Sequence, residues 1–477
     1  MSKSFYITTT LPYVNADPHV GFAMEFIRAD TIARYKKLLG YDVFFNTGTD
    51  EHGQKLFTAA EKDGVPVQQY VDDYAERFRG LKDLLGITYD VHFIRTTDVH
   101  HVASVQEFWN RCNNNGYIYK KNYEIKYCIG CELEKTDSEL NDNGECPVHP
   151  GVVVEKINEE NYFFKFSEFG DKLLKLYSED QTFITPIFRL NEMKSFINSG
   201  LQDFSISRLK SKMPWGVPVP NDEDQIMYVW FDALVNYIST LGWPENTTTF
   251  EKFWINGTPV QYCGKDNVRQ QSVMWQAMLM AAGLPNSHKI VINGFITAEG
   301  GVKMSKSVGN VFSPYDIVAE YGADALRYFL LREVSSFEDS PFTIERFKNA
   351  YNSGLANGLG NLVSRIMTMA ENYGVSHIGS IITNNEDTDL NSFDIKKYMD
   401  KIWLKIEDID KKIQKTEPYK LFKTDEEMAR GIVSELCTDL SVVATLLIPA
   451  LPETANKILT YLKQSKKPAE PLFLRKD

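Results

Sequence analysis

The first three segments constrain this chain most: an apolar, β-branched run SFYITTT (4–10), the loop LPYVNADPHVGF (11–22) and the run AMEFIRADTIARYKKLL (23–39). A strand that passes through a short loop into a long helix predicts a β–α unit of a parallel sheet, because parallel neighbours need a helical crossover. Phe22, Phe26, Ala29 and Ala33 share one helix face, which predicts the side laid on that sheet. A second strand, DVFFNTGT, runs into the polar loop DEHG (50–53). The alternation resumes with MYVWF, PVQYCGKD, QQSVMWQAMLMAAG and KIVIN. Such folds hold anions where a strand end meets a helix N-terminus, since free N–H groups and the helix dipole converge there. His19 and Gly21 occupy that junction.

Between about 117 and 225 the pattern breaks into short runs and turns, which reads as an insertion in a split α/β domain. Cys128 and Cys131 of CIGC and Cys146 and His149 of CPVH supply four soft ligands in two close pairs, the spacing of a closed tetrahedral zinc site. The other cysteines, at 112, 263 and 437, stand apart, so a reduced compartment with one metal site fits better than a disulfide framework. After KIVIN comes GGVKMSKSVGN (300–310), where Lys303 and Lys306 on a glycine- and serine-rich loop can close over a triphosphate. SPYD at 313–316 predicts a helix start, with Ser313 as cap and Pro314 in the first turn. Long amphipathic helices are expected near 344–372, 391–416 and 425–463. On the first of these Asn357, Asn361 and Arg365 form a polar stripe beside the glycines 354, 358 and 360, and close helix packing alone would account for the glycines.

The net charge of −12 argues against general coating of nucleic acid, while leaving room for a local contact through Lys463, Lys466, Lys467, Arg475 and Lys476. A solvated helix end is the plainer account of those charges. No stretch predicts a membrane span and the N-terminus has no signal-peptide pattern, so a cytoplasmic protein is expected.

PHVGF with KMSKS resembles the two signatures of the class I aminoacyl-tRNA synthetases. The motifs TLPYVNADPHVGF, TGTDEHG, YCIGCE, CPVH, ENYFF, SISR, YVWFDAL, GKD and GFIT, in that order, are similar to the methionyl family of that class, in its one-zinc bacterial branch. The resemblance implies a Rossmann-type catalytic domain at 1–116 and 226–312, split by a zinc-binding connective insertion at 117–225. A stem-contact region at 313–345 and an α-helical anticodon-binding bundle at 346–477 would follow. With the chain ending at 477, no further tRNA-binding or dimerising domain is expected, and a monomer is expected. The implied reaction joins methionine to tRNA(Met) through methionyl-adenylate, with ATP and Mg²⁺ and without a protein nucleophile. Another class I synthetase, or a non-catalytic zinc-containing RNA-binding protein, is the alternative.

Carried onto this chain, the resemblance implies that His19, Lys303 and Lys306 are catalytic and bind ATP together with Gly21, Gly264 and Asp266. Asp50 would hold the methionine ammonium, and Arg208 would brace the polar side of the site. Leu11, Tyr13, Trp230, Ala233, Leu234, Tyr237 and Asn293 would surround the methionine side chain, with the Leu11 N–H and the Tyr237 hydroxyl near the sulfur. Asn357, Asn361, Arg365, Pro418 and Tyr419 would read the anticodon. Four places depart from the family pattern: Phe22 replaces the second signature histidine, Asn293 another histidine, Gln270–Gln271 a Phe-His pair, and Tyr419 a tryptophan.

Overall fold

A computed structural model describes residues 3–476 except 89, 131–132, 136–138, 150, 152–153, 299, 301–311 and 377–385. Six strands form one sheet: β1 (Ser4–Thr8), β2 (Asp42–Thr49), β3 (His92–Arg95), β4 (Ile184–Thr185), β5 (Thr258–Gly264) and β6 (Lys289–Asn293). Their spatial order is β3-β2-β1-β5-β6-β4, and every pairing is parallel. This is a Rossmann-type α/β fold. The order reverses between β1 and β5, where Ile7 lies opposite Phe45 on one side and Val260 on the other.

The period-2 alternation of β1 divides the core. Phe5 and Ile7 pack with α1 (Val20–Leu38) and with helices from the C-terminal third, whereas Tyr6 packs on the other face with Phe108, Trp275 and Phe164. Phe26, Ala29 and Ala33 are buried as their shared face predicts, but α1 is buried on nearly all sides. It lies between the sheet and the C-terminal helices, so its charged residues need partners. Asp30 meets Arg327 at 2.8 Å, and Arg327 also donates to the carbonyls of Pro449 and Ala450.

Within 117–225, the strands Ile118–Cys128 and Glu155–Phe164 form the long antiparallel pair of a separate sheet. The same segment also returns β4 to the edge of the parallel sheet. In the C-terminal third, helical winding runs from Ile344 to Asn372, with a wider π-type stretch at Tyr351–Gly360 that carries the glycines. Gly354 is a packing glycine: a Cβ there would overlap the Tyr328 hydroxyl. The helix expected over 425–463 is two helices, Glu426–Leu447 and Pro452–Gln464. Pro449 and Pro452 remove N–H donors and end the first of them. Ser313 caps the helix Pro314–Tyr321 as its sequence predicts, accepting from Tyr315 N at 3.2 Å.

Gly48 sits in β2 where a Cβ would overlap the Ile94 carbonyl of β3. Strand backbone cannot yield as a side chain can, so Gly48→Ala should destabilise the protein by about 1–3 kcal/mol. Chemical unfolding measures this, and an unchanged midpoint would contradict the packing.

Candidate active site

A cavity of about 520 Å³ opens at the carboxyl ends of β1, β5 and β6, at the point of strand reversal. Thr10, Leu11 and Tyr13 line it after β1, Gly264 and Asp266 after β5, and Asn293 at the end of β6. His19, Gly21 and Phe22 come from the start of α1, Asp50 from the loop after β2, and Trp230 from α2 (Val229–Ala233).

His19 is the N-cap of α1, and its Nδ1 accepts from Gly21 N at 3.1 Å. A neutral ring in that bond carries its proton on Nε2, as a donor on the opposite edge. Gly21 permits the fold-back, because a Cβ there would lie 2.9 Å from the ring. The expectation of free N–H groups at this helix end is corrected: Val20 N donates to Phe312 O, and Phe22 N and Ala23 N to His19 O. The neighbouring segment at Phe312 and the cap itself take up the first turn, which leaves the dipole and the imidazole to face an anion. Phe22 meets Phe78 edge-on at 5.3 Å and Phe26 at 6.1 Å, so it joins the core while still lining the cavity.

Backbone bonds hold Asp50 in place, Asp50 N to Pro12 O at 2.9 Å and Val14 N to Asp50 O at 3.3 Å. Lys55, also on the wall, lies 5.8 Å from the Tyr13 ring. Ala233, Leu234 and Tyr237 are buried but are not part of the cavity wall. The Tyr237 hydroxyl instead accepts from Gln271. Arg208 is buried among strands, donating to Ser205 Oγ at 2.6 Å and to Ser207 O at 2.7 Å, and stacks over Tyr127.

Sequence reasoning missed Glu25. It is buried, lines the cavity, accepts from Thr10 N at 2.6 Å and lies 3.5 Å from Asn293 Nδ2. Arg28 holds the other end of Asn293, at 2.9 Å from Oδ1. The available signal was an acid on the same helix face as Gly21 and Phe22.

Cys128 Sγ and Cys146 Sγ each lie 4.0 Å from His149 Nδ1. The S···N edge of a tetrahedral zinc site is about 3.6 Å, so these three residues form a group able to hold a metal ion. Gly130 makes room for the imidazole, since a Cβ there would lie 2.6 Å from it. Gly130, Val148 and His149 also line the cavity. Cys131, Lys303 and Lys306 lie outside the described residues. Farther off, Asn357, Asn361 and Tyr419 are exposed, Pro418 is buried, and Arg365 pairs with Asp410.

This Rossmann sheet, with its histidine-capped helix at the switch point and its interrupting Cys/His module, falls within a family-model match that gives its class, the class I tRNA synthetases. The family described as tRNA synthetases class I (M) matches residues 5–152 and 150–367. The chain is 43% identical to the methionine--tRNA ligase of Caldanaerobacter subterraneus, over 97% of this chain and 74% of the relative. It is 38% identical to that of Rickettsia felis, over 99% of this chain and 94% of the relative. The methionyl-tRNA synthetase of Mycobacterium tuberculosis in complex with methionyl-adenylate superposes with a TM-score of 0.88 at 36% identity, covering 96% of this chain and 93% of that one. The chain belongs to the methionine--tRNA ligase family.

Burial raises the Glu25 carboxyl from 4.5 to about 7, against the opposing bonds from Thr10 and Asn293. The folded protein then binds more protons than the unfolded chain between those values. Stability should therefore fall as pH rises from about 4.5 to 7, by about 3 kcal/mol. Glu25→Gln should remove that slope. Unfolding midpoints at pH 5, 6, 7 and 8 compare the two proteins, and parallel profiles would exclude the buried acid as the cause.

Proposed function

We propose that the switch-point cavity carries out both steps of methionine--tRNA ligation. The observation that carries this reading is the convergence of His19, Asp50, Trp230 and Asp266 on one cavity in a chain of this family. The carboxylate of methionine attacks the α-phosphorus of ATP and pyrophosphate leaves. The terminal adenosine hydroxyl of tRNA(Met) then attacks the acyl carbonyl and AMP leaves. No protein nucleophile is needed, because alignment and charge stabilisation supply the rate.

His19 donates to the phosphates from Nε2, backed by the positive end of α1. Gly21 lets that ring fold, and Gly264 and Asp266 receive the ribose. Asp50 answers the ammonium of methionine, while Leu11, Tyr13 and Trp230 cover its side chain. Asn293 joins that wall, and Ala233, Leu234 and Tyr237 form the layer behind. Lys303 and Lys306 supply positive charge to the leaving pyrophosphate, and Mg²⁺ enters as the counter-ion of ATP. Zn²⁺ held by Cys128, Cys131, Cys146 and His149 would staple the insertion against the cavity.

The division into 1–116 with 226–312, 117–225, 313–345 and 346–477 belongs to the same reading. So do recognition of the anticodon by Asn357, Asn361, Arg365, Pro418 and Tyr419, a monomeric state and a cytoplasmic location. Among the described residues no helix is long and apolar enough to cross a membrane.

Pyrophosphate exchange tested with each amino acid in turn should respond to methionine alone. In that assay His19→Ala should cost about 2.7–4 kcal/mol of activation, as for loss of an aimed donor. Phe22→His should stay within about tenfold, since a neutral hydrogen bond contributes about 0.5–1.5 kcal/mol. The reverse ranking would place the phosphate contact elsewhere.

Metal analysis should find about one zinc per chain, as four ligands of this spacing hold one ion. The double variant Cys128→Ala, Cys146→Ala should lose it. A variant that retains its zinc would move the site.

A further inference from the structure

A buried cluster behind the cavity has no part in the chemistry above. Asp232 is 1% exposed, and its two carboxylate oxygens are each used once. Oδ2 lies 2.6 Å from His52 Nδ1 and Oδ1 lies 2.9 Å from His101 Nε2. His101 Nδ1 is in turn 2.8 Å from Ser239 Oγ. Burial alone would raise the Asp232 carboxyl; the charge of His52 and the hydrogen bonds from both imidazoles reverse this and hold it below the usual carboxylate range. An ionised Asp232 accepts only, so His52 donates from Nδ1 and His101 from Nε2.

The ends of this cluster matter more than its middle. His52 lies two residues after Asp50, on the loop that forms one wall of the cavity. Asp232 lies two residues after Trp230 on α2, so Trp230 faces the cavity while Asp232 faces away. The rest of the loop is fixed independently. Arg95 grips Glu51 at 2.7 and 2.8 Å, Trp215 Nε1 donates to Glu51 O at 2.6 Å, and the Tyr13 hydroxyl donates to His52 O at 2.7 Å. None of these bonds reaches α2. The His52–Asp232 bond does, and it joins the wall bearing the carboxylate to the wall bearing the indole.

We infer that His52 and Asp232 are positioning residues that set the separation of Asp50 from Trp230, and through it the affinity for the amino acid rather than for ATP. The inference rests on the methionine reading of the cavity. A charge-assisted bond in a buried site is strong and directional, so its loss should loosen one dimension of the pocket while leaving the α1 end intact.

The test compares His52→Leu, His52→Asn and Asp232→Asn with the full-length wild type in pyrophosphate exchange. Active-site titration and a tryptophan-fluorescence Kd for the free amino acid accompany it. His52→Leu and Asp232→Asn should raise the KM and the Kd for methionine about tenfold, the loss of one such bond, with kcat and the KM for ATP within about twofold. His52→Asn keeps an N–H donor near the position of Nδ1 and should restore methionine affinity to within about threefold of wild type. A bond that only supported folding would lower the fraction of active protein and leave both KM values alone. That result, or His52→Asn behaving as His52→Leu, would overturn the inference. A wild type that exchanges with a different amino acid would instead overturn the methionine reading, and the clamp is then read from the KM for that amino acid.

Discussion

The parallel pairing of β1 with β5 is the constraint on which the rest depends. It places Phe5 opposite Thr258 and so brings the ends of two distant strands to one edge of the sheet. Connections leave those strands in opposite directions, which opens a gap at their carboxyl ends. The cavity is that gap. The cost of closing a long loop grows only as the logarithm of its length, so a large insertion between the two halves burdens the sheet little. The insertion contributes in return, since it supplies the edge strand β4 and part of the cavity wall.

A helix buried on both sides follows from the same arrangement. α1 lies between the sheet and the C-terminal helices, and its Glu25, Arg28 and Asp30 are all nearly inaccessible. Each is answered. Arg28 donates to the carbonyls of Leu330, Ser335 and Ser336 as well as to Asn293. Asp30 meets Arg327, Arg34 and the Thr88 N–H. A buried ion pair adds little net stability, but leaving one partner unmatched costs about 3–5 kcal/mol. The Asp30–Arg327 pair therefore penalises other dockings of the helical region more than it stabilises this one.

The sheet was legible because β1, β5 and β6 are short, largely apolar runs bounded by loops, the pattern expected of strands buried on both faces. His19, Asp50, Gly264 and Asp266, named from their motifs, all line one cavity, His19 at a helix start and the others in the segments at or after strand ends. β4 was not legible, since two residues carry no periodicity. Glu25 and the His52–Asp232–His101 cluster were hidden for another reason. A charged residue in an amphipathic sequence looks solvated until its partner, distant in the chain, is known. The resemblance implies that Ala233, Leu234 and Tyr237 surround the methionine side chain; here they are buried, and Trp230 of the same segment lines the cavity.

The departures from the family pattern share a physical logic. Asn293 is wired to Arg28 on one side and toward Glu25 on the other. Gln271 accepts from Gln261 at 2.8 Å and donates to the Tyr237 hydroxyl, while Ser287 donates to Gln261. Phe22 closes against Phe26 and Phe78. Asn293, Gln271 and Phe22 each meet neighbours within or behind the wall, so these three replacements help to orient it. The direction of the amide relay adds a further point. Ser287, Gln261 and Gln271 donate in sequence toward Tyr237, so the relay uses the tyrosine oxygen as an acceptor and leaves its proton out of the chain. Tyr237 is buried behind Trp230, so the relay fixes the layer on which that wall rests and does not itself reach the cavity.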